Sequence, residues 1–236
     1  MHPLVSLFRK WRYLFLLGAL LILLVVHPIT SGFCTVEPLF DALFVLVMLI
    51  LALALAQDNV WRVIACIVCI PAAMLSIGGH FLTSYAQVVT VTTGHALGAL
   101  FFVAVAGKIV RSLFTSRELS LDSVFGAICG YLLLGVACAL TYAMIYAANP
   151  ESFQFGDLVR QQVEHPDYSR SVFIYYSFVT LTTVGYGDVT PLSVPARTLS
   201  WVEAMTGQLY LAVLVAGLIS TLVTSNSARV RNQGDR

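Results

Sequence analysis

The chain is 236 residues long with a formal net charge of +1, and it combines 58% hydrophobic residues with only 11% charged ones. With a mean hydropathy of +0.86, this composition is far from that of a soluble domain and predicts a chain embedded in a lipid bilayer along most of its length. It leaves no room for a large soluble domain, and no nucleic-acid partner is expected.

Apolar runs occupy residues 13–26, 39–56, 60–77, 87–106, 124–148 and 196–223, with a shorter one at 171–182. Crossing a hydrocarbon core about 30 Å thick takes roughly 20 apolar residues, so six of these runs read as transmembrane helices. The first is short and relies on Trp11, Arg12 and His27 as interfacial anchors.

Basic residues concentrate in short cytoplasmic segments. With the N-terminus inside, Arg9, Lys10, Arg12, Arg62, Lys108, Arg111, Arg117, Arg229, Arg231 and Arg236 fall on the cytoplasmic side, and only Arg160, Arg170 and Arg197 fall outside. Both termini are therefore expected in the cytoplasm, and residues 151–170 on the extracellular or periplasmic side. Arg9, Lys10 and Arg12 before an apolar run, with Ser31 and Gly32 after it, outline a signal peptide. No A-x-A site accompanies them, and cleavage is not expected.

Five cysteines provide no even disulfide framework. Cys66 and Cys69 form a C-x-x-C inside an apolar helix, with no second pair and no histidine cluster, and read as buried membrane thiols. Cys34 is expected outside, either free or cross-linked to another subunit.

The polar break at residues 117–122 divides the chain into a four-helix part, 1–117, and a second part, 118–236. In the first part, Gln57-Asp58-Asn59 is short enough to force a tight antiparallel hairpin, and Gly78-Gly79 opens the next turn. A voltage-sensing helix needs several arginines at every third position, because each charge moved contributes only about 2.3 kcal/mol per 100 mV. The fourth run instead carries Thr90, Thr92, Thr93 and His95, and Lys108 and Arg111 sit at its cytoplasmic end as anchors. The four-helix part is not expected to be a conventional voltage sensor.

Between the last two apolar runs stands Thr182-Thr183-Val184-Gly185-Tyr186-Gly187-Asp188. A cation shedding its water in a narrow pore needs a ring of oxygens, and backbone carbonyls can supply one. Aiming successive carbonyls at one axis requires the backbone to alternate in handedness, which Gly185 and Gly187 permit because glycine enters positive φ without steric cost. Thr183 adds a hydroxyl, and Val184 and Tyr186 have side chains able to pack behind the strand.

With its flanking helices, this stretch resembles the two-helix pore domain of bacterial potassium channels from residue 124 to about residue 224. The resemblance implies an all-α membrane protein: six transmembrane helices plus a re-entrant pore helix and filter loop, assembled as a four-fold homotetramer. Potassium ions would bind the carbonyls of Thr183, Val184, Gly185 and Tyr186 and the Thr183 hydroxyl, with Gly187 completing the filter. No organic cofactor and no catalysis are implied, and the location would be the bacterial plasma membrane. Residues 175–182 read as the pore helix, with Tyr175 and Tyr176 where the family places an aromatic cuff. Thr190-Pro191 and Ala196-Arg197 open the inner helix. Asp188 would hydrogen-bond a pore-helix group. Where many relatives carry a pore-helix glutamate this chain has Val179, which leaves Tyr175 as the candidate partner of Asp188.

On the inner helix, Gln208, Leu211, Val215 and Ile219 recur at helical spacing on the face that the family register directs to the water-filled cavity. The three apolar residues would form rings able to gate by dewetting, or else pack as ordinary helix contacts. Gly207 and Gly217 are hinge candidates or close helix contacts. Glu203 is about 140° from Gln208 on a helical wheel and so turns toward the pore helix or a neighbouring subunit. An acid inside a span must be paired, protonated or wet, so Glu203 is expected to hold a structural hydrogen bond to a threonine or tyrosine, or to sense pH. In the outer loop, Glu151, Asp157, Glu164 and Asp167 against Arg160 and Arg170 leave −2 per subunit, which would either concentrate cations modestly or simply be solvated.

The chain ends about a dozen residues after the sixth run, so no ligand-binding gating domain is expected. Gating falls to the filter, the inner helix, lipid, pH or an unknown regulatory subunit. Other readings are a potassium transporter subunit, a weakly selective cation channel and, in a different class, a non-conducting membrane scaffold or sensor. Potassium transporters usually carry four unlike filter loops in one chain, whereas one is present here.

Overall fold

The computed structural model describes residues 11–30, 37–55, 59–79, 85–115, 121–163 and 166–234. In chain order these form α1 (Arg12–Thr30), α2 (Glu37–Leu55), α3 (Asn59–Gly79), α4 (Tyr85–Thr115) and α5 (Leu121–Ala148). A 3-10 turn (Pro150–Ser152), β1 (Phe153–Phe155), α6 (Asp157–Val163), α7 (Pro166–Leu181), β2 (Val189–Pro191) and α8 (Val194–Gly234) follow. Cys34, Glu164 and the Gln57-Asp58 connection lie outside the described residues, as do the side chains of Cys66, Asp167, Arg170 and Ile219.

Among the described residues, three stretches are long and apolar enough to cross a membrane: Thr92–Arg111, Val124–Ala148 and Val194–Gly217. Shorter apolar stretches occupy Arg12–Val25, Ala42–Ala52, Val63–Leu75 and Ser171–Leu181. The expected runs at 13–26, 39–56 and 60–77 thus coincide with helices α1 to α3, whose described apolar lengths fall short of a full crossing.

Helix α5 is the shared wall of the fold. It packs against α1 and α4 on one side and against α7 and α8 on the other. The larger core lies among α1, α2, α4 and α5, where Leu16, Leu20, Phe44, Met48, Phe102, Ile109 and Leu133 are buried. Ile67, Met74 and Leu100 point outward. Apolar side chains on both faces of a helix are what a bilayer as solvent permits.

At the cytoplasmic end of α5 in the expected orientation, the amide of Tyr13 donates to Asp122 Oδ1 at 3.2 Å and Arg12 Nε approaches Asp122 Oδ2 at 3.8 Å. Two turns on, the Cys129 thiol donates to the Tyr13 carbonyl at 3.4 Å. Helix α1 is therefore fastened to the outer helix of its own chain. Cys69, Cys129 and Cys138 are buried thiols, and the Cys69 Sγ lies 3.5 Å from Met48 Sδ.

The second core is aromatic. Tyr142, Phe153, Phe155, Phe173, Tyr176 and Val189 are buried together, with edge contacts between Tyr142 and Tyr176 at 4.9 Å and between Phe153 and Phe173 at 5.1 Å. Such pairs favour edge-to-face geometry because of the ring quadrupole. This core sits under an antiparallel pair in which Phe153, Gln154 and Phe155 face Pro191, Thr190 and Val189. The described residues are otherwise mostly helical, and this short pair is an addition to the expected helices. Strands of three residues are too short to show an alternating pattern, so Phe153-Gln154-Phe155 carries no strand signal in the sequence. The outer loop also holds α6. Helix α7, expected over residues 175–182, begins earlier, at Pro166, and α8 extends to Gly234.

Candidate functional site

Helix α7 ends at Leu181 and its last carbonyls turn the chain toward the filter. The amide of Thr183 donates to the Thr180 carbonyl at 2.9 Å, and the amides of Val184 and Gly185 both reach the Val179 carbonyl, at 2.9 and 3.3 Å. Residues 183–185 are thus hung directly from the end of α7. Along this segment φ is positive at Thr183 (60°), Gly185 (59°) and Gly187 (80°), at every second residue. Alternation of this kind turns successive carbonyls to one side. It costs Gly185 and Gly187 little, but Thr183 is β-branched and a true outlier there, with strain of roughly 1–3 kcal/mol. Nothing in the sequence marked Thr183 for that conformation, because threonine carries no signal for it.

Past the filter, Gly156 donates its amide to the Asp188 carbonyl at 2.8 Å and Leu192 donates to the Ser152 carbonyl at 2.8 Å, so the β1–β2 pair closes over the outer end. The Tyr175 hydroxyl donates to Asp188 Oδ2 at 2.6 Å, and the Val189 amide donates to Asp188 Oδ1 at 3.0 Å. The Tyr175 ring stacks on that of Tyr186, 6.4 Å between centroids with 5° between planes. Tyr176 faces elsewhere: its hydroxyl shares a hydrogen bond of 2.7 Å with Ser200 Oγ on α8. Consecutive helix residues point about 100° apart, so the two tyrosines cannot both face the filter. Val184 and Tyr186, expected behind the strand, remain 52% and 71% exposed in the single chain. Thr182 turns back on its helix, its hydroxyl donating to the Phe178 carbonyl at 2.6 Å.

At the inner end, Gln208 Nε2 donates to Thr183 Oγ1 at 3.4 Å. Leu211 and Val215 follow on α8, both exposed. The two glycine candidates differ. A Cβ at Gly207 would lie 2.3 Å from the Leu181 carbonyl oxygen, whereas one at Gly217 would have no atom of the described residues within 4 Å. Gly207 is a close contact between inner helix and pore helix, and that contact requires glycine.

Glu203 is 1% exposed. Its Oε2 accepts from the Tyr142 hydroxyl at 2.6 Å, and its Oε1 lies 2.5 Å from Ser177 Oγ. Ser177 Oγ is also 2.7 Å from the Gly135 carbonyl. Tyr142, Ser177 and Ser200 were not singled out from sequence, where each looks like an ordinary helix residue. Tyr131, whose hydroxyl donates to the Leu181 carbonyl at 3.3 Å, and Tyr210, which donates to the Ala127 carbonyl at 2.6 Å, were missed for the same reason.

Of the charged residues, Glu151, Asp157 and Arg160 are exposed in the outer loop. Outside the spans, burial pushes the Asp122 carboxyl above the ordinary aspartate value, against the opposing pulls of the Tyr13 amide and Arg12.

Residues 132–224 match the family model described as ion channel, a family of channels and not of enzymes. The match takes in most of α5 and all of α7, the filter and the membrane-crossing part of α8. Over 107 residues the chain is 33% identical to the potassium channel AKT1 of Arabidopsis thaliana, which covers 44% of this chain and 12% of that protein. The chain thus spans about an eighth of the length of that relative. The apolar helices and the ion-channel match together make this a membrane protein with an ion-channel region, and the relative it resembles there is a potassium channel.

Proposed function

We propose that four copies of this chain form a potassium-selective channel that conducts passively across the bacterial inner membrane. The observation that carries the reading is the alternation of positive φ at Thr183, Gly185 and Gly187 in a Thr-Val-Gly-Tyr-Gly strand hung from the end of a pore helix. One such strand covers one side of an ion, so four are needed to complete a ring of carbonyls. Potassium is the transported ion. It would be bound at Thr183, Val184, Gly185 and Tyr186, with Gly187 in the outer turn and Thr182, Tyr175, Val179 and Asp188 supporting the strand.

Six spans are proposed, four in residues 1–117 and two in 118–236, with both termini cytoplasmic. The absence of an arginine ladder in residues 87–106 favours gating at the filter or at the inner helix, where Gln208, Leu211 and Val215 would face the cavity. Potassium flux into liposomes holding purified protein tests the reading. Barium-sensitive, potassium-selective flux without a coupling gradient is expected, together with its loss in Gly185→Asp. Flux that persists in Gly185→Asp would remove the filter from the account.

A further inference from the structure

Position 179, whose carbonyl holds the first residues of the strand, carries a valine side chain, but a carboxyl group reaches the same helix from another direction. The geometry points to Glu203 of the inner helix as a positioning residue that holds the pore helix, and through it the filter, in register. This rests on the channel reading above.

Three features carry it. Glu203 is buried, as are Tyr142 and Ser177, and a carboxyl group in such a place is tolerated only when its oxygens are hydrogen-bonded. Its two oxygens are divided between two helices, Oε2 to Tyr142 on α5 and Oε1 to Ser177 on α7. One side chain of α8 thereby joins the three long helices of the second half, α5, α7 and α8. Finally, the contact is repeated one turn on. Leu181 lies one turn after Ser177 on α7, Gly207 one turn after Glu203 on α8, and the two meet so closely that no Cβ fits at Gly207. Leu181 immediately precedes Thr182 and Thr183. A pore helix loosened at Ser177 therefore moves the carbonyls that begin the filter.

The hydrogen count sharpens the claim. Ser177 Oγ has one proton and two acceptors in reach, the Gly135 carbonyl at 2.7 Å and Glu203 Oε1 at 2.5 Å. A hydroxyl donates once. Both contacts are satisfied together when the carboxyl group carries the second proton, a neutral arrangement that glutamine reproduces with its amide N–H toward Ser177 and its oxygen toward Tyr142. Ser200 extends the cluster, lying 3.4 Å from the Tyr142 hydroxyl and 2.7 Å from that of Tyr176.

The test uses full-length wild type, Glu203→Gln, Glu203→Leu and Ser177→Ala in planar bilayers, reading the potassium-to-sodium permeability ratio alongside tetramer assembly by size. The expected result is a ratio near wild type for Glu203→Gln. For Glu203→Leu and Ser177→Ala the ratio should fall about tenfold, the size of a lost buried hydrogen bond. The double variant Glu203→Leu with Ser177→Ala should be no worse than either alone. A role in stability alone would lower the yield of tetramer and leave the ratio untouched. A wild-type ratio in Glu203→Leu or in Ser177→Ala would overturn the proposal, as would Glu203→Gln being as damaging as leucine. Ser177→Ala carries the test if Glu203→Leu does not assemble. Wild-type protein without potassium selectivity would overturn the channel reading and this proposal with it, a result told apart because it needs no variant.

Discussion

The hydroxyl of Tyr175 meets Oδ2 of Asp188 at 2.6 Å, joining the pore helix to the outer end of the filter strand across thirteen positions of sequence. The Tyr186 ring lies flat against that of Tyr175, so one side chain of α7 supports the strand at two points. Phenylalanine at 175 keeps the stack and deletes the bond. A hydrogen bond to a charged acceptor contributes about 1.5–3 kcal/mol, with the low end suited to an exposed pair. We predict that Tyr175→Phe accelerates the decay of current during sustained conduction by about tenfold. Decay at the wild-type rate would remove this bond from the account of filter stability.

The two glycines of α8 separate in a second experiment. Gly207→Ala forces a methyl group toward the Leu181 carbonyl, a backbone atom that cannot swing away. Overpacking of this kind costs about 1–3 kcal/mol. Gly217→Ala places its Cβ within 4 Å of no atom among the described residues and gains helix propensity of about 1 kcal/mol. Thermal melting of the detergent-solubilised protein should show Gly207→Ala destabilised and Gly217→Ala equal to wild type or better. Equal tolerance at both positions would contradict the close contact.

The helices were legible because apolar runs of this length have few alternatives, although α4 continues past the end of the fourth run at 106 to Thr115. Other features were not legible, for reasons that are physical. The Phe153–Phe155 strand is too short to display a period, and its partner lies beyond the filter, 36 residues from Gln154 at the Thr190 hydroxyl. A helical wheel turned Glu203 away from Gln208, but no local pattern names Tyr142, 61 residues earlier, as its partner. Glycines announced positive φ at 185 and 187. The same conformation at Thr183 is imposed by the amides that Val179 and Thr180 hold, and a threonine does not advertise it.

A third prediction concerns the attachment of α1 to α5. Burial raises the Asp122 carboxyl above its ordinary value of 3.8, so the folded chain holds that proton more tightly than the unfolded chain does. The stability this confers is complete below the ordinary value and is lost as pH rises through the raised one. Asparagine keeps an oxygen for the Tyr13 amide and does not ionise. As pH is raised from the acidic range toward neutrality, wild type should therefore lose melting temperature relative to Asp122→Asn. A wild type that gains on the variant over that rise would show that the 3.8 Å approach of Arg12 outweighs burial.

The most direct test of the whole account is the reversal potential of wild-type protein in a planar bilayer with potassium on one side and sodium on the other. The account predicts a reversal close to the potassium equilibrium potential and block by barium. A reversal near zero, with sodium and potassium equally permeant, would contradict it.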